Sequence, residues 1–544
     1  MKLLCVLLPF AALAADTAPP LDLGPVTETH IMVPMRDGVG LSTYLYTPKG
    51  NGPWPVLYEQ RYASLRGAAA RERYAKLAGA GFVVAAQNFR GSQLSEGVFQ
   101  GYRALGWGKL QDGYDSVEWF AKQPWSTGKI GTFGGSQAGY AQNFLAVTRP
   151  PHLTAQYITD GGLSLFHLGY RRGGITRPQR FLSSMVSVAR DPAEGRRHLE
   201  DQFAHPDYDS YWRQEDCTLH FGEMNVPAFA LASWFDFMAD GSIETYIGRQ
   251  NRGGPQARGS QQLLIGPWLH GGTKSNKIAE MEFPENAAFD MDAHMIRWFD
   301  WYLKGKETGV TGDPAIRYYV MGANVWRTAK EWPVPSVATP YYLHIKTLDR
   351  RPPAVPGGAA GGSTSYVADP ANPAPQPGAN EPTARDSRPY EAHPEVQTFT
   401  TEPLTEPVEW TGKVRAELHV SSTAPDTDFI VRVNDVYPDG RSILLINAPR
   451  RARYRDSFEK PALMKKGEIY KMIVDVGWLS QVFSPGHRIR VTIASTMADH
   501  FEPNPNTGEP ATIEPAKRML AARNTIWHDA WHASKIIAPV VSGK

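Results

Sequence analysis

Ser136 is a residue whose surroundings predict covalent chemistry. It lies in the stretch GTFGGSQAGY, residues 131–140, directly after a short apolar run. The stretch is close to G-x-S-x-G, the pattern of a serine nucleophile on a sharp turn between a strand and a helix. Ala138 stands where the second glycine is expected, and Gly139 follows one position late. The turn needs small residues two before and two after the serine, and Gly134 and Ala138 both satisfy that steric demand.

An aspartate and a histidine follow Ser136 in the chain order of a hydrolase triad. Asp236 ends the predicted strand VPAFALASWFD, and His270 ends the predicted strand QQLLIGPWLH. The carboxyl ends of parallel strands meet at the sheet edge where ligands bind. There His270 would accept the Ser136 hydroxyl proton, and Asp236 would orient and stabilise the imidazolium.

Each of the three residues also fits a structural role when it is considered alone. Ser136 fits a glycine-rich turn, Asp236 fits the cap of the helix that begins near Gly241, and His270 fits a loop or core histidine. Together, at strand ends in the required order, they favour the catalytic interpretation.

The elements that must position these residues alternate between strands and helices. Residues 24–162 and 223–308 contain buried strand patterns such as FVVAAQN and amphipathic helix patterns such as QDGYDSVEWFAKQ. This alternation predicts an α/β core with a parallel sheet covered on both faces.

Residues 163–222 interrupt this alternation and predict a helical cap. The stretch FLSSMVSVAR, residues 181–190, has an amphipathic helical pattern, and Asp191 stands where a helix N-cap is expected.

Residues 309–544 predict a separate all-β domain. Stretches such as KVRAELHVSS and HRIRVTIAS alternate apolar and polar residues with a period of two, which is typical of antiparallel strands. A sandwich or jelly roll follows, with residues 350–384 as a Pro/Gly-rich surface loop.

The first residues predict a secretory signal peptide over residues 1–14. One lysine precedes an apolar run, and Ala12-Leu13-Ala14 fits a cleavage site. No apolar run reaches the length of a spanning helix, so we expect no stable membrane insertion. Cleavage would remove Cys5 and leave Cys217 alone among acidic neighbours, which favours a structural thiol without an intramolecular disulfide.

The overall composition excludes few functions. The chain has 544 residues with a formal net charge of +2, and both signs are spread along it. No charge excess predicts a nucleic acid as partner.

Seven stretches resemble the cocaine esterase family of serine hydrolases, which includes Xaa-Pro dipeptidyl-peptidases, α-amino acid ester hydrolases and glutaryl cephalosporin acylases. The resemblance runs from about His30 to the end of the chain. In this family the serine motif usually reads G-x-S-Y-x-G, so the late Gly139 agrees with it and Gln137 departs from it. The stretches are MRDGVGLSTYLYTP, FRGSQLSEGVF, DGYDSVEWFAKQPWSTGKIGTFGGSQAG, SWFD, GPWLH, VNDVYPDGRS and RARYR.

The resemblance implies an α/β-hydrolase core with a helical cap insertion, followed by an all-β jelly-roll domain, and no cofactor. It implies Ser136, Asp236 and His270 as the triad. It also implies an oxyanion hole formed by the backbone N–H of Gln137 and the hydroxyl of Tyr62.

The surroundings of the oxyanion tyrosine depart from the family pattern. The family usually has a proline before this tyrosine and an aspartate after it, whereas Arg61 and Ala63 flank Tyr62 here. Tyr58 therefore remains a second candidate.

The substrate is less defined than the chemistry. Met238 and Ala239 stand where α-amino acid ester hydrolases carry acidic residues that hold the substrate ammonium, although Asp240 or Asp160 could substitute. We expect esters or amides that need no free amino group. Aromatic residues that could line the pocket, although each also fits a core, are Trp234, Phe235, Phe237, Phe166 and Trp268.

His528 and His532 have a spacing that would suit a metal on a helix, but they lie among predicted strands and have no evident third ligand. We predict no metal site.

The prediction is an exported serine hydrolase that cleaves carboxylic ester or amide bonds through a Ser136 acyl-enzyme. The partners expected are a small-molecule ester or amide, or a short peptide, and the sequence is compatible with a homo-oligomer. The alternatives are an Xaa-Pro dipeptidyl-peptidase that releases N-terminal dipeptides, and a non-catalytic binding protein on a hydrolase scaffold.

Overall fold

The computed structural model describes residues 19–177, 186–354, 362–378, 382–514 and 516–541. The predicted signal peptide and the first half of the helix predicted over residues 181–190 lie outside these ranges. None of the helices within them is long and apolar enough to cross a membrane.

The N-terminal domain is built on one large mixed sheet. Its ten strands lie in the order β1-β2-β4-β3-β5-β6-β7-β8-β11-β12, with a two-stranded hairpin, β9 and β10, beside it. The strands of both sheets are, in chain order, β1 (Val26–Pro34), β2 (Gly40–Pro48), β3 (Trp54–Arg61), β4 (Val83–Asn88), β5 (Ser126–Gly135), β6 (Leu153–Thr159), β7 (Ala228–Ser233), β8 (Gln261–Gly266), β9 (Lys277–Ile278), β10 (Met281–Glu282), β11 (Ile316–Val320) and β12 (Val325–Ala329).

The middle of this sheet is parallel. Strands β4, β3, β5, β6, β7, β8 and β11 pair in parallel, while β1, β2 and β12 are attached antiparallel at the two edges. Because β5, β6, β7 and β8 are adjacent, their carboxyl ends lie side by side at one edge of the sheet.

Helices cover both faces of the sheet, as the alternating sequence predicts. Along β5, Ile130 and Thr132 face the helices at residues 112–121 and 137–148, whereas Gly131 and Phe133 face those at residues 68–79 and 291–304. The α-helices within the described residues are α1 (Ala68–Gly79), α2 (Asp112–Ala121), α3 (Gln137–Thr148), α4 (Pro192–Ala204), α5 (Ser210–Arg213), α6 (Ala239–Arg252), α7 (Met291–Lys304) and α8 (Arg388–Glu391).

The described part of the cap consists of short helices. It comprises α4, α5 and single turns of π- or 3-10-helix at 166–170, 172–174, 217–219 and 221–223. The carboxylate of Asp191 accepts the N–H of Ala193 at 2.9 Å, so the predicted N-cap is confirmed. Cys217 is fully buried, and burial raises the pKa of its thiol, as suits a structural cysteine.

The C-terminal domain is all-β and has two packed sheets. One contains β14-β13-β23-β17-β22-β15 with β20 beside β17, and the other has the order β16-β21-β18-β19. Its strands are β13 (Val337–Leu343), β14 (Leu348–Asp349), β15 (Ser363–Ala368), β16 (Gln397–Thr400), β17 (Val408–Ser422), β18 (Asp428–Val436), β19 (Ser442–Arg451), β20 (Tyr470–Phe483), β21 (Arg488–Ala494), β22 (Ala522–Trp527) and β23 (Lys535–Val540).

Two features differ from the predicted boundaries. Strands β11 and β12 follow residue 309 but extend the core sheet, because β11 pairs with β8. The predicted loop 350–384 contains β15, which pairs with β22. Residues 355–361 and 379–381 of that loop lie outside the described ranges.

Three tryptophans join the two domains next to the loop that carries Asp236. Trp332 lies between the domains in sequence, and its ring centre is 6.1 Å from that of Trp234 and 5.9 Å from that of Trp478. Trp234 directly follows β7, and Trp478 lies in β20 of the jelly roll. The apolar core is therefore continuous between the domains.

We expect Trp332→Ala to destabilise both domains together. Trp332 is 5% exposed, and removing a buried tryptophan typically costs about 3 to 5 kcal/mol. Thermal unfolding measured by calorimetry should show a midpoint lower by several degrees. Trp531→Ala is the matched control, because Trp531 is 80% exposed, and equal effects of the two variants would contradict the packing described.

Candidate active site

Ser136 occupies a strained turn between β5 and α3. Its φ of 58° and ψ of −120° are unusual for a residue other than glycine. Its backbone N–H is shared between the carbonyl oxygens of Thr159 at 3.1 Å and Asp160 at 3.2 Å. These bonds tie the turn to the end of β6 and hold the serine in a conformation typical of a nucleophile elbow.

The late glycine of the motif has a steric cause. A Cβ atom on Gly139 would lie 2.6 Å from the Cα of Gly161, so the backbones of α3 and of the segment after β6 are in direct contact. Gly134 has a φ of 123°, and a Cβ there would lie 2.7 Å from the Cβ of Ala138. The close approach thus needs glycine at 134 and 139 and tolerates alanine at 138.

His270 and Asp236 form a hydrogen-bonded pair at the same edge. The Nδ1 of His270 lies 3.0 Å from the Oδ1 of Asp236. The Asp236 side chain is buried, while His270 is half-buried with the Phe237 ring 4.9 Å away. Both follow strand ends, as the sequence predicts, and the pair can orient the imidazole and stabilise its protonated form.

Asp160 joins the serine turn to the histidine loop. It directly follows β6, has a positive φ of 43° and donates its N–H to the carbonyl of Leu231 at 2.9 Å. Its Oδ2 accepts the backbone N–H of Gly271, the neighbour of His270, at 2.9 Å. Burial and, secondarily, the charge of Asp236 raise the pKa of Asp160 to about 7.

Sequence reasoning names Asp160 only as a substitute site for a substrate ammonium. A buried side chain bonded to Gly271 is poorly placed for that role. The available signal was its position, since YITDGG puts an acid directly after a predicted strand and before two glycines.

The side chain of Gln137 holds the loop that carries Tyr62. Its Oε1 accepts the backbone N–H groups of Tyr62 and Ala63, both at 2.9 Å. The Nδ2 of Asn88 donates to the carbonyl of Ala63 at 2.9 Å from the other side of the loop. Gln137 also begins α3, and the first N–H groups of a helix have no intrahelical acceptor. One residue can therefore offer its N–H to an oxyanion and position the second donor through its side chain.

Tyr58 lies in a different environment from Tyr62. It is 1% exposed, belongs to the cluster around Val117 and Phe120, and donates its hydroxyl to Gln87 Oε1 at 2.6 Å. Tyr62 is half-buried, with its ring edge-on to Phe89 at 5.5 Å. The structure therefore favours Tyr62 over Tyr58 as a donor to substrate.

The five aromatic residues predicted for the pocket have different surroundings. Phe237 is half-buried beside His270 and remains a candidate wall. Trp268 and Phe166 have no exposed surface and belong to the hydrophobic core, so they do not form a pocket wall. Trp234 and Phe235 are also buried, and they line a narrow cavity that reaches Asp236 and the jelly-roll residue Trp478.

Asp240 is already paired with a cation. Its Oδ2 accepts from Arg172 at 2.7 Å, and its Oδ1 accepts the N–H of Trp478 at 3.3 Å. A substrate ammonium would have to displace Arg172. The arrangement therefore gives Asp240 a structural role between the core and the jelly roll.

Two sets of residues carry side chains that can ligate a metal. His528 and His532 lie in the loop between β22 and β23, where His528 contacts Thr364 and His532 contacts Asp529. Asp160, Asp236 and His270 each offer an atom within 4.8 Å of the others. His270 Nδ1, Asp236 Oδ1 and Asp160 Oδ2 are each engaged in a hydrogen bond within the site, so the geometry fits a hydrogen-bonded network better than a coordination sphere.

Comparisons with known proteins place these features in context. A family model described as X-Pro dipeptidyl-peptidase (S15 family) matches residues 37–272, and one described as X-Pro dipeptidyl-peptidase C-terminal non-catalytic domain matches residues 308–537. Cocaine esterase of Rhodococcus sp. (strain MB1 Bresler) is 30% identical, over 94% of this chain and 98% of the relative.

Two solved structures share the fold at 24% identity. One is an α-amino acid ester hydrolase with a TM-score of 0.84, covering 98% of this chain and 100% of the other. The second is an aminopeptidase from the marine sediment archaeon Thaumarchaeota archaeon with a TM-score of 0.83, covering 98% and 99%.

We expect Tyr62→Phe to lower kcat for a simple ester about 100-fold, because it would remove one of the two predicted oxyanion donors and leave the ring in place. Steady-state hydrolysis of p-nitrophenyl acetate measures this. Tyr58→Phe is the matched control, since it loses a hydroxyl bonded to Gln87 inside the core and should lower stability rather than kcat. A large loss of kcat in Tyr58→Phe, with kcat unchanged in Tyr62→Phe, would assign the oxyanion donor to Tyr58 instead.

Proposed function

Because the chain belongs to the X-Pro dipeptidyl-peptidase and cocaine esterase family of serine hydrolases, we propose that it hydrolyses carboxylic esters or amides through a covalent acyl-enzyme on Ser136. The observation that carries the proposal is the His270–Asp236 hydrogen bond beside the strained Ser136 turn. Ser136, Asp236 and His270 follow the ends of β5, β7 and β8, which lie within one run of four neighbouring parallel strands. This combination supports hydrolysis over ligand binding alone.

The first half of the reaction forms the acyl-enzyme. The Ser136 hydroxyl oxygen attacks the substrate carbonyl carbon while His270 takes the hydroxyl proton. The N–H of Gln137 and the hydroxyl of Tyr62 stabilise the oxyanion that forms. The bond to the leaving oxygen or nitrogen then breaks, and His270 transfers the proton to that atom.

Water completes the cycle. His270 accepts one proton from the attacking water, and the new oxygen bonds to the acyl carbon. Collapse of the second tetrahedral intermediate breaks the Ser136 ester, and His270 returns a proton to the serine oxygen. Asp236 keeps the imidazole in the required tautomer throughout, because its carboxylate accepts from Nδ1.

The charges around the site favour substrates without a required free amino group. Asp240 is paired with Arg172, and Asp160 is buried against Gly271. Met238 and Ala239 add no charge. We therefore propose esters and acyl amides as the substrate class, with the dipeptidyl-peptidase activity as the alternative.

Hydrolysis of matched substrates tests the reaction and the substrate class together. We expect turnover of p-nitrophenyl esters by the wild type and its loss, by about 10⁵-fold or more, in Ser136→Ala. A free α-amine should give no large advantage when a glycyl-prolyl anilide is compared with its N-acetylated form. A buried counter-charge for the amine would be worth about 2 kcal/mol or more, which is about 30-fold in kcat/KM.

The outcomes separate the candidates. A 30-fold or larger preference for the free dipeptidyl anilide would favour the dipeptidyl-peptidase. Ester hydrolysis that persists in Ser136→Ala would end the proposal. Ligand binding without any turnover would favour the non-catalytic alternative.

We also propose that the protein is exported after removal of residues 1–14. The apolar run and the Ala12-Leu13-Ala14 site support this. The N-terminal sequence of the mature protein should begin at Ala15, and a cytoplasmic protein that retains Met1 would contradict export.

A further inference from the structure

Four consecutive strands of the core sheet each deliver a polar residue to one edge. Ser136 follows β5, Asp160 follows β6, Asp236 follows β7 and His270 follows β8. Three of these residues have a role in the proposed reaction. Asp160 lies between the nucleophile strand and the acid strand, so the topology itself puts it inside the site.

Both the backbone and the side chain of Asp160 are engaged with catalytic segments. Its carbonyl oxygen accepts the N–H of Ser136, and its Oδ2 accepts the N–H of Gly271. Asp160 thus spans from the turn that carries the nucleophile to the loop that carries His270. Its own positive φ shows that this bridge is kept in spite of a conformational cost.

Two buried carboxylate oxygens near this bridge lack hydrogen-bond partners. Across the part of the chain that the structure describes, Oδ1 of Asp160 and Oδ2 of Asp236 have none. Asp160 is 2% exposed and Asp236 is 6% exposed, so bulk water does not satisfy them. Partnerless buried polar atoms are rare and point to a proton, an ion or a water at the position.

A proton on one of the two carboxyl groups accounts for the partnerless oxygens more simply than two ionised carboxylates do. Two ionised carboxylates side by side in a buried site disfavour each other, so one of the two retains its proton. Asp236 needs its charge for His270. The titratable groups that act on Asp160 are Asp236 and His270, and Ser233 and the Gly271 amide supply hydrogen-bonding groups. Burial and Asp236 raise the pKa of Asp160 to about 7, which agrees with Asp160 as the protonated partner.

We infer that Asp160 is a positioning residue of this site that enters the reaction protonated, ties the Ser136 turn to the His270 loop, and donates its proton in a hydrogen bond to the partnerless Oδ2 of Asp236. The inference rests on the proposed hydrolase function. The reaction consumes no proton of Asp160. Because Asp160 is protonated, the imidazolium that forms when His270 takes the serine proton faces one ionised carboxylate, that of Asp236.

A metal ion is a weaker explanation of the same atoms. His270 Nδ1 and Asp236 Oδ1 lie at hydrogen-bond distance from each other, and Asp160 Oδ2 is bonded to an amide. Coordination at about 2.0–2.2 Å would break these contacts. Activity that falls on dialysis against a chelator and returns with a divalent cation would favour the metal and overturn the proton assignment.

The test compares Asp160→Asn with Asp160→Ala. Asparagine keeps an acceptor for the Gly271 N–H and supplies N–H donors in place of the proton, so kcat for p-nitrophenyl acetate should fall no more than about fivefold. Alanine loses the Gly271 contact and should lower kcat about 30-fold or more with a small change in KM, because the loop shifts relative to the nucleophile. The thermal midpoint of each variant verifies folding.

A pH profile separates positioning from a general structural role. Between pH 5 and 8 the wild-type kcat/KM should contain two coupled ionisations, since Asp160 loses its proton near pH 7 and its charge then stabilises the imidazolium. The Asp160→Asn profile should contain one. Glu395→Gln is the matched control, because Glu395 is a buried jelly-roll acid whose pKa burial also raises to about 7, and this variant should keep the wild-type profile.

A spectroscopic readout does not depend on turnover. At pH 6 the infrared spectrum of the wild type should contain a protonated-carboxyl band that Asp160→Asn lacks. Absence of that difference, superimposable pH profiles, or equal loss of kcat in the asparagine and alanine variants would each overturn the inference. A wild type without any hydrolase activity would instead contradict the proposed function, so the two failures are distinguishable.

Discussion

The direct contact between the backbones at Gly139 and Gly161 is the constraint on which the rest of the site depends. It brings α3 close enough to the end of β6 for the Ser136 N–H to reach the carbonyls of Thr159 and Asp160. That bonding pattern fixes the strained turn of the nucleophile. A side chain at either glycine would push the two segments apart and disrupt the backbone hydrogen bonds that fix the Ser136 turn.

The jelly roll supports the acid loop although it supplies none of the proposed catalytic residues. Thr383 donates its hydroxyl to the carbonyl of Phe235 at 2.7 Å, next to Asp236. The N–H of Trp478 binds Asp240, and Trp332 packs between Trp478 and Trp234. These contacts limit the motion of the loop that carries Asp236. This matters because the histidine–aspartate pair must keep one orientation.

The sequence predicted the parts of the site that depend on strand ends and chain order. Ser136, Asp236 and His270 could be selected because buried strand patterns end directly before them. The role of Asp160 could not be predicted from the sequence, because it depends on which strands are adjacent in the sheet and on a buried proton. In the sequence the Gln137 side chain likewise stands out only as a departure from a family pattern, since its contact with the Tyr62 loop joins segments far apart in the chain. The sequence could not separate aromatic residues that line the pocket from those in the core. Trp268 and Phe237, for example, differ in burial and not in their local sequence pattern.

The central claim is that Ser136 is the nucleophile, and covalent labelling tests it most directly. Treatment with a fluorophosphonate followed by peptide mapping should give one adduct, on the peptide that contains Ser136, and none in Ser136→Ala. Labelling should be slowed when His270 is replaced by alanine, because the serine then lacks its base. An adduct on another residue, or an active enzyme whose Ser136 stays unlabelled while hydrolysis continues, would contradict the account.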